Sequence, residues 1–138
     1  EQYCSKMAIN SNQNNKTLEI LGRQIQTICL GQGIVWFAFK DICQNPRGTL
    51  DYIEIARQFQ TVIISDLPIF TEDKDNLARR FISLVDEFYD HKVNLILSAE
   101  ENIENIYKGI KLHSEFKRTA SRLIEMQSLE YLGLAHLS

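Results

Sequence analysis

Apolar and polar positions alternate with a period of two over Thr17-Leu-Glu-Ile-Leu21 and again over Gln24-Ile-Gln-Thr-Ile28, with Gly22-Arg23 between them. That alternation, broken by a glycine step, predicts a β-hairpin. Leu30-Gly-Gln-Gly33 predicts a turn, and the apolar run 34–39 a buried strand. Residues 40–43 read as one helical turn, stopped at Asn45-Pro46. Tyr52, Ile55, Ala56 and Phe59 recur at i, i+3, i+4, i+7 and predict an amphipathic helix over 50–59. Residues 61–66 form a second apolar run that ends in Asp66, just before Leu67-Pro68. Leu77, Phe81, Leu84, Val85 and Phe88 then follow a helical stripe and predict a helix over 75–91 capped by Asp73 or Asp75. The run 93–100 predicts another strand, 101–107 a short helix closed by Gly109, and 114–132 a final helix. Its inward positions are Phe116, Ala120, Leu123, Ile124 and Tyr131.

Strand, helix and strand over 61–100 make a βαβ unit, whose two strands run parallel through a right-handed crossover. The expected fold class is α/β: a small, mostly parallel sheet with flanking helices, an N-terminal β-hairpin and this unit at its centre. Residues 16–138 are expected to form a single domain. Residues 1–15 read as the end of an upstream element plus the polar linker Asn10-Ser-Asn-Gln-Asn-Asn15. Glu1 stands where an initiator Met would, in mid-pattern, so the chain is expected to be part of a longer protein.

Composition narrows the function classes. The chain is 44% hydrophobic and 24% charged, as in ordinary globular domains. A formal net charge of -3 argues against a general nucleic-acid binder, which needs a basic surface. The run 34–39 is far too short to span a bilayer, and no secretory signal is visible. Cys4, Cys29 and Cys43 lack metal-ligand spacing and read as reduced thiols. His91, His113 and His136 form no close pair, so no metal site is expected.

Candidate chemistry falls in three places. Ligands of open α/β sheets sit outside the carboxyl ends of the strands, which brings Asp66, Ser98 and Glu100 to one edge. An apolar run ending in Asp66 has the form of a strand presenting a magnesium-directing carboxylate, although such an Asp also serves as a turn former or cap. No glycine begins the phosphate-cradling G-x-x-x-x-G-K-[ST] motif, no G-x-G-x-x-G occurs, and Ser98 has neither an activating histidine nor an elbow motif. Arg79 and Arg80 stand two helical turns before Asp86 and Glu87, either as a solvated face or as arginines offered to a phosphate or a neighbouring subunit. Arg118, Arg122 and Glu125 share a face of the last helix. They form a network with Glu115, or pair with Asp66, Asp86 or Glu100 across the sheet edge. Trp36, Phe37 and Phe39 read as core, because no basic residue is interleaved with them.

Four blocks carry a family resemblance: Leu50-Asp-Tyr-Ile-Glu-Ile-Ala-Arg57, Ala78-Arg-Arg-Phe-Ile-Ser-Leu-Val-Asp-Glu-Phe-Tyr-Asp90, Asn94-Leu-Ile-Leu-Ser-Ala-Glu100 and Glu115-Phe-Lys-Arg-Thr-Ala-Ser-Arg-Leu-Ile-Glu-Met-Gln-Ser128. With Trp36, Phe37, Phe39 and Cys43 ahead of them, they resemble the carboxyl-terminal part of the ZapE-type cell-division ATPases, bacterial relatives of a mitochondrial AAA-type ATPase. The resemblance runs from about Thr17 to Tyr131. It implies a parent that hydrolyses ATP with Mg through a P-loop ahead of Glu1. It also implies a cytoplasmic setting at the division ring with its tubulin-like protein, or mitochondrial quality control if the source is a eukaryote. No cofactor is expected in this piece itself.

Three readings follow. The first is a carboxyl-terminal accessory domain of an ATP-hydrolysing P-loop protein, packed beside the upstream ATPase core and offering Arg79, Arg80, Arg118 or Arg122 to a partner or a neighbour's nucleotide. The second is a protein-binding module that does not touch nucleotide. The third, ranked last, is an independent enzyme using Asp66 and Glu100 as a carboxylate pair.

Overall fold

The computed structural model describes residues 17–44 and 48–127. Two sheets open the chain. The strands β1 (Thr17–Ile20) and β2 (Arg23–Gln26) pair antiparallel as a separate two-stranded hairpin. Its two-residue turn, Leu21-Gly22, has positive φ at both positions (52° and 79°), as the twist of a tight hairpin demands. The four-stranded sheet has the order β3-β4-β5-β6 and is built from β3 (Cys29–Gly31), β4 (Ile34–Ala38), β5 (Thr61–Leu67) and β6 (Asn94–Ala99). β3 runs antiparallel to β4, and β4, β5 and β6 are parallel neighbours.

The parallel strands are joined through α1 (Thr49–Gln58) and α2 (Asp75–Asp90), and α3 (His113–Glu125) follows β6. A π-helical turn, Lys40–Gln44, follows β4. α1 packs on α2 and α2 on α3. Alternation along the strands sends Val35, Phe37, Val62, Ile64 and Leu95 into one core with Tyr52 and Ile55 of α1, Phe81, Leu84, Val85 and Phe88 of α2, and Phe116 and Leu123 of α3. Phe70 links the layers, with ring centroids 5.6 Å from Phe39, 5.7 Å from Phe81 and 5.6 Å from Phe116. Leu18, Ile20 and Ile25 attach the hairpin to the same core.

The expected α/β class, the hairpin and the parallel βαβ unit are all present. Five details differ. β3 occupies part of the expected turn, because Cys29–Gly31 closes a second hairpin on β4 around Gly33 (φ 76°). The expected helix over 101–107 is only a 3-10 turn, Ile103–Asn105, because Phe70 and Tyr107 bridge in extended form and hold the segment open. Neither Asp73 nor Asp75 caps α2: Asp73 accepts from the Thr71 hydroxyl, and Asp75 from the Tyr107 hydroxyl at 2.9 Å. Ile124 is 54% exposed and not inward. Cys29 is disulfide-bonded, against the expectation of reduced thiols, whereas Cys43 is free and buried. The linker 1–15, Asn45-Pro46, Tyr131 and the end of the last expected helix lie outside the described residues.

Candidate functional site

β4, β5 and β6 end together, and the edge they form is shaped by Asp66. This residue adopts the left-handed conformation (φ 65°) where the β5–β6 register shifts between Ile64 and Leu67. Asp is among the few non-glycine residues that tolerate that region. Its backbone N–H donates to the Ser98 hydroxyl at 3.1 Å, so the structure joins two of the three expected edge residues. Glu100 follows β6, with its backbone N–H 3.4 Å from the Leu67 carbonyl and its side chain exposed. Asp66 borders an open hollow of about 300 Å³ with Phe39, Lys40, Pro68 and Lys74. Between β4 and β5 the Trp36 indole N–H donates to Ser65 Oγ at 3.1 Å.

The backbone of this edge is partly engaged within the fold. A nucleotide needs converging backbone amides around its phosphates and carboxylates around the metal. Here the Asp66 amide is spent on Ser98, and the described residues hold no group of three or more His, Cys, Asp or Glu side chains suited to a metal ion.

The arginines divide into two pairs. Arg122 forms an ion pair with Asp86 across the α2–α3 seam, and its guanidinium lies 4.9 Å from the centroid of the Tyr89 ring. Tyr89 also bonds Glu125, and that hydrogen bond to a carboxylate, reinforced by desolvation, raises the Tyr89 phenol above its ordinary value. Arg80 donates to the Cys43 carbonyl at 3.0 Å and ties α2 to the π-helical turn. Arg79 and Arg118 are exposed. Glu87 is half-buried, and its carbonyl accepts from the His91 backbone N–H at 3.1 Å. Phe81 against Phe116 and Asp86 against Arg122 show that α2 and α3 run in the same direction. Arg79 stands two turns before Asp86 and Arg118 one turn before Arg122, so both arginines share the side of the seam that the ion pair marks.

The sequence reading missed two polar devices. Asp51 is 1% exposed, yet its carboxylate accepts from one Arg23 guanidinium nitrogen at 2.7 and 2.6 Å and from the Gly48 backbone N–H at 2.8 Å. This fastens the hairpin to the start of α1. The spacing of Gly48 and Asp51, cap and third helical residue, was the legible signal. The Tyr107 hydroxyl donates to Asp75 and accepts from the Leu112 backbone N–H, both at 2.9 Å, with its ring stacked 5.3 Å from Phe116.

Comparison with known proteins identifies the lineage. The family model for AFG1-like ATPases matches residues 1–135. The cell division protein ZapE of Escherichia coli K12 is 42% identical over 132 residues, 96% of this chain and 35% of the relative. A protein of Schizosaccharomyces pombe is 33% identical over 65% of this chain and 20% of its own length. The lactation elevated protein 1 homolog B of Danio rerio is 29% identical over 84% of this chain and 29% of its own length. The chain therefore spans about a third of the length of its first curated relatives. No solved structure matches. The family named by the four sequence blocks is the one found, and the chain belongs to the AFG1-like ATPases.

Proposed function

We propose that this chain is a carboxyl-terminal accessory domain of an AFG1-like ATPase that serves regulation, assembly or partner docking. In this reading ATP is hydrolysed with Mg by a P-loop elsewhere in the longer protein. The observation that carries it is the division of the arginines. Arg80 and Arg122 are committed to the Cys43 carbonyl and to Asp86, while Arg79 and Arg118 stand exposed on the same seam. A guanidinium held on a rigid helix and left in solvent suits an anionic group brought by a partner. The partners in this reading are the upstream ATPase core, a neighbouring subunit, and, by analogy with the cell division relative, the tubulin-like division protein in a bacterial cytoplasm; a eukaryotic source would place it in mitochondria. No helix among the described residues is long and apolar enough to cross a membrane.

The test is Arg79→Ala with Arg118→Ala in the full-length protein, measuring ATPase rate and assembly. The expected result is a loss of at least about tenfold in one of them, with the thermal midpoint unchanged. Unchanged rate and assembly would refute the reading. The second reading is a protein-binding module that never meets nucleotide. That reading expects a normal ATPase rate with loss of partner binding when this segment is deleted.

A further inference from the structure

We infer that the outer edge of β6 is a docking site for an extended peptide, which adds as a fifth strand beside Asn94–Ala99. Among the described residues β6 ends the sheet, and its ladder partners there belong to β5. The Asn94 backbone N–H, bonded to the Gln60 carbonyl at 2.8 Å, faces that same side. The opposite row of N–H and C=O groups has no backbone partner among the described residues. Such a row templates another strand, and natural edges are blunted by charge, proline or a cover. The six residues Asn94-Leu-Ile-Leu-Ser-Ala99 contain neither charge nor proline.

The flanks of this edge specify the occupant. Between β6 and α3 runs an open groove of about 290 Å³ floored by Leu97, Ile103, Leu123 and Ile124. Ile96, on the other face, is 36% exposed. Side chains of an added strand alternate between faces, so every second residue enters the groove and the others lie beside Ile96. At the carboxyl end of β6 stand the exposed side chains of Glu100 and Glu101, with Glu104 beyond. Glu101 lines the groove, and no basic residue among the described residues does. The matching partner is an extended peptide with apolar residues at alternate positions and a lysine or arginine at the end that meets these acids. Backbone pairing supplies its affinity, and the groove and the acids its specificity. The site rests on neither the arginine seam nor the ATPase reading.

The probe is a fluorescein-labelled peptide of alternating valine and threonine with two lysines at one end, titrated into the 138-residue chain and followed by fluorescence polarisation. Saturable binding is expected, weakened at least tenfold by backbone N-methylation of the peptide, by Ile96→Lys, and by Glu100→Lys with Glu101→Lys. If Ile96→Lys does not fold, as judged by circular dichroism, Ile124→Glu takes its place on the groove side with the same expected loss. Equal binding by the N-methylated peptide or by the folded edge variant overturns the proposal, as does no saturable binding. Dimers of the chain in sedimentation equilibrium that Ile96→Lys abolishes, without peptide binding, would make the occupant a second copy and overturn it as well.

Discussion

Tyr52 and Cys43 meet in a fully buried corner, where the tyrosine hydroxyl donates to the Ile42 carbonyl at 3.1 Å and lies 3.8 Å from the thiol sulfur. Burial pushes the Cys43 thiol from 9.0 up to about 12, against smaller opposing effects of the Tyr52 hydrogen bond and Arg80. Burial raises the Tyr52 phenol as well. Both groups lose their protons more readily in the unfolded chain. Their contribution to stability is therefore complete below about pH 9 and declines as pH rises toward about 12. Urea midpoints measured across this range should fall, and Cys43→Ala should flatten the decline. Two other residues act through the backbone and a buried charge. Leu21 carries a positive φ while 55% exposed, so Leu21→Asn is expected to stabilise the chain by about 1 kcal/mol in urea unfolding. Arg23→Ala leaves the buried Asp51 carboxylate with only the Gly48 amide among these partners and should cost about 2–3 kcal/mol in the same assay. Asp51 was legible as a helix-start residue from its place three positions after Gly48. That its partner would be Arg23 was not, because the hairpin meets α1 only through tertiary packing.

At the scale of elements, the ends of α2 and α3 are held by side chains more than by caps. A Cβ on Gly109 would come within 2.6 Å of Tyr107 Cζ and 3.0 Å of an Asp75 carboxylate oxygen. Gly109→Ala should therefore open the Tyr107–Asp75 bond and cost about 1–3 kcal/mol, read from the shift in urea midpoint. The Asp86–Arg122 pair, with both side chains about 30% exposed, should give a coupling energy of about 0.5–1 kcal/mol in a double-mutant cycle, diminished by added salt. Helices with a long apolar stripe were readable from sequence: α1 and α2 begin and end within a residue or two of expectation. The segment 101–107 was not, because Phe70 claims its backbone through hydrogen bonds to Ile106 and Lys108, which local propensity does not encode. β3 escaped notice because three residues ending in glycine carry too little periodicity to register.

For the molecule as a whole, three apolar runs gave the parallel sheet, and the helix between the second and third made its connection legible. The candidate site was legible only as a set of residue types. Asp66 and Ser98 were expected at one edge and do meet, yet the bond runs from the Asp66 backbone and leaves the carboxylate to solvent. Which arginines are engaged could not be read either, since Cys43 and Asp86 approach Arg80 and Arg122 from other elements. In the proposed function the chain is a scaffold whose strand edge does not itself carry nucleotide. Calorimetric titration of Mg-ATP into the 138-residue chain at moderate salt tests this most directly. The expected result is no heat of binding; saturable binding with a micromolar dissociation constant, lost in Asp66→Ala, would contradict the proposed function.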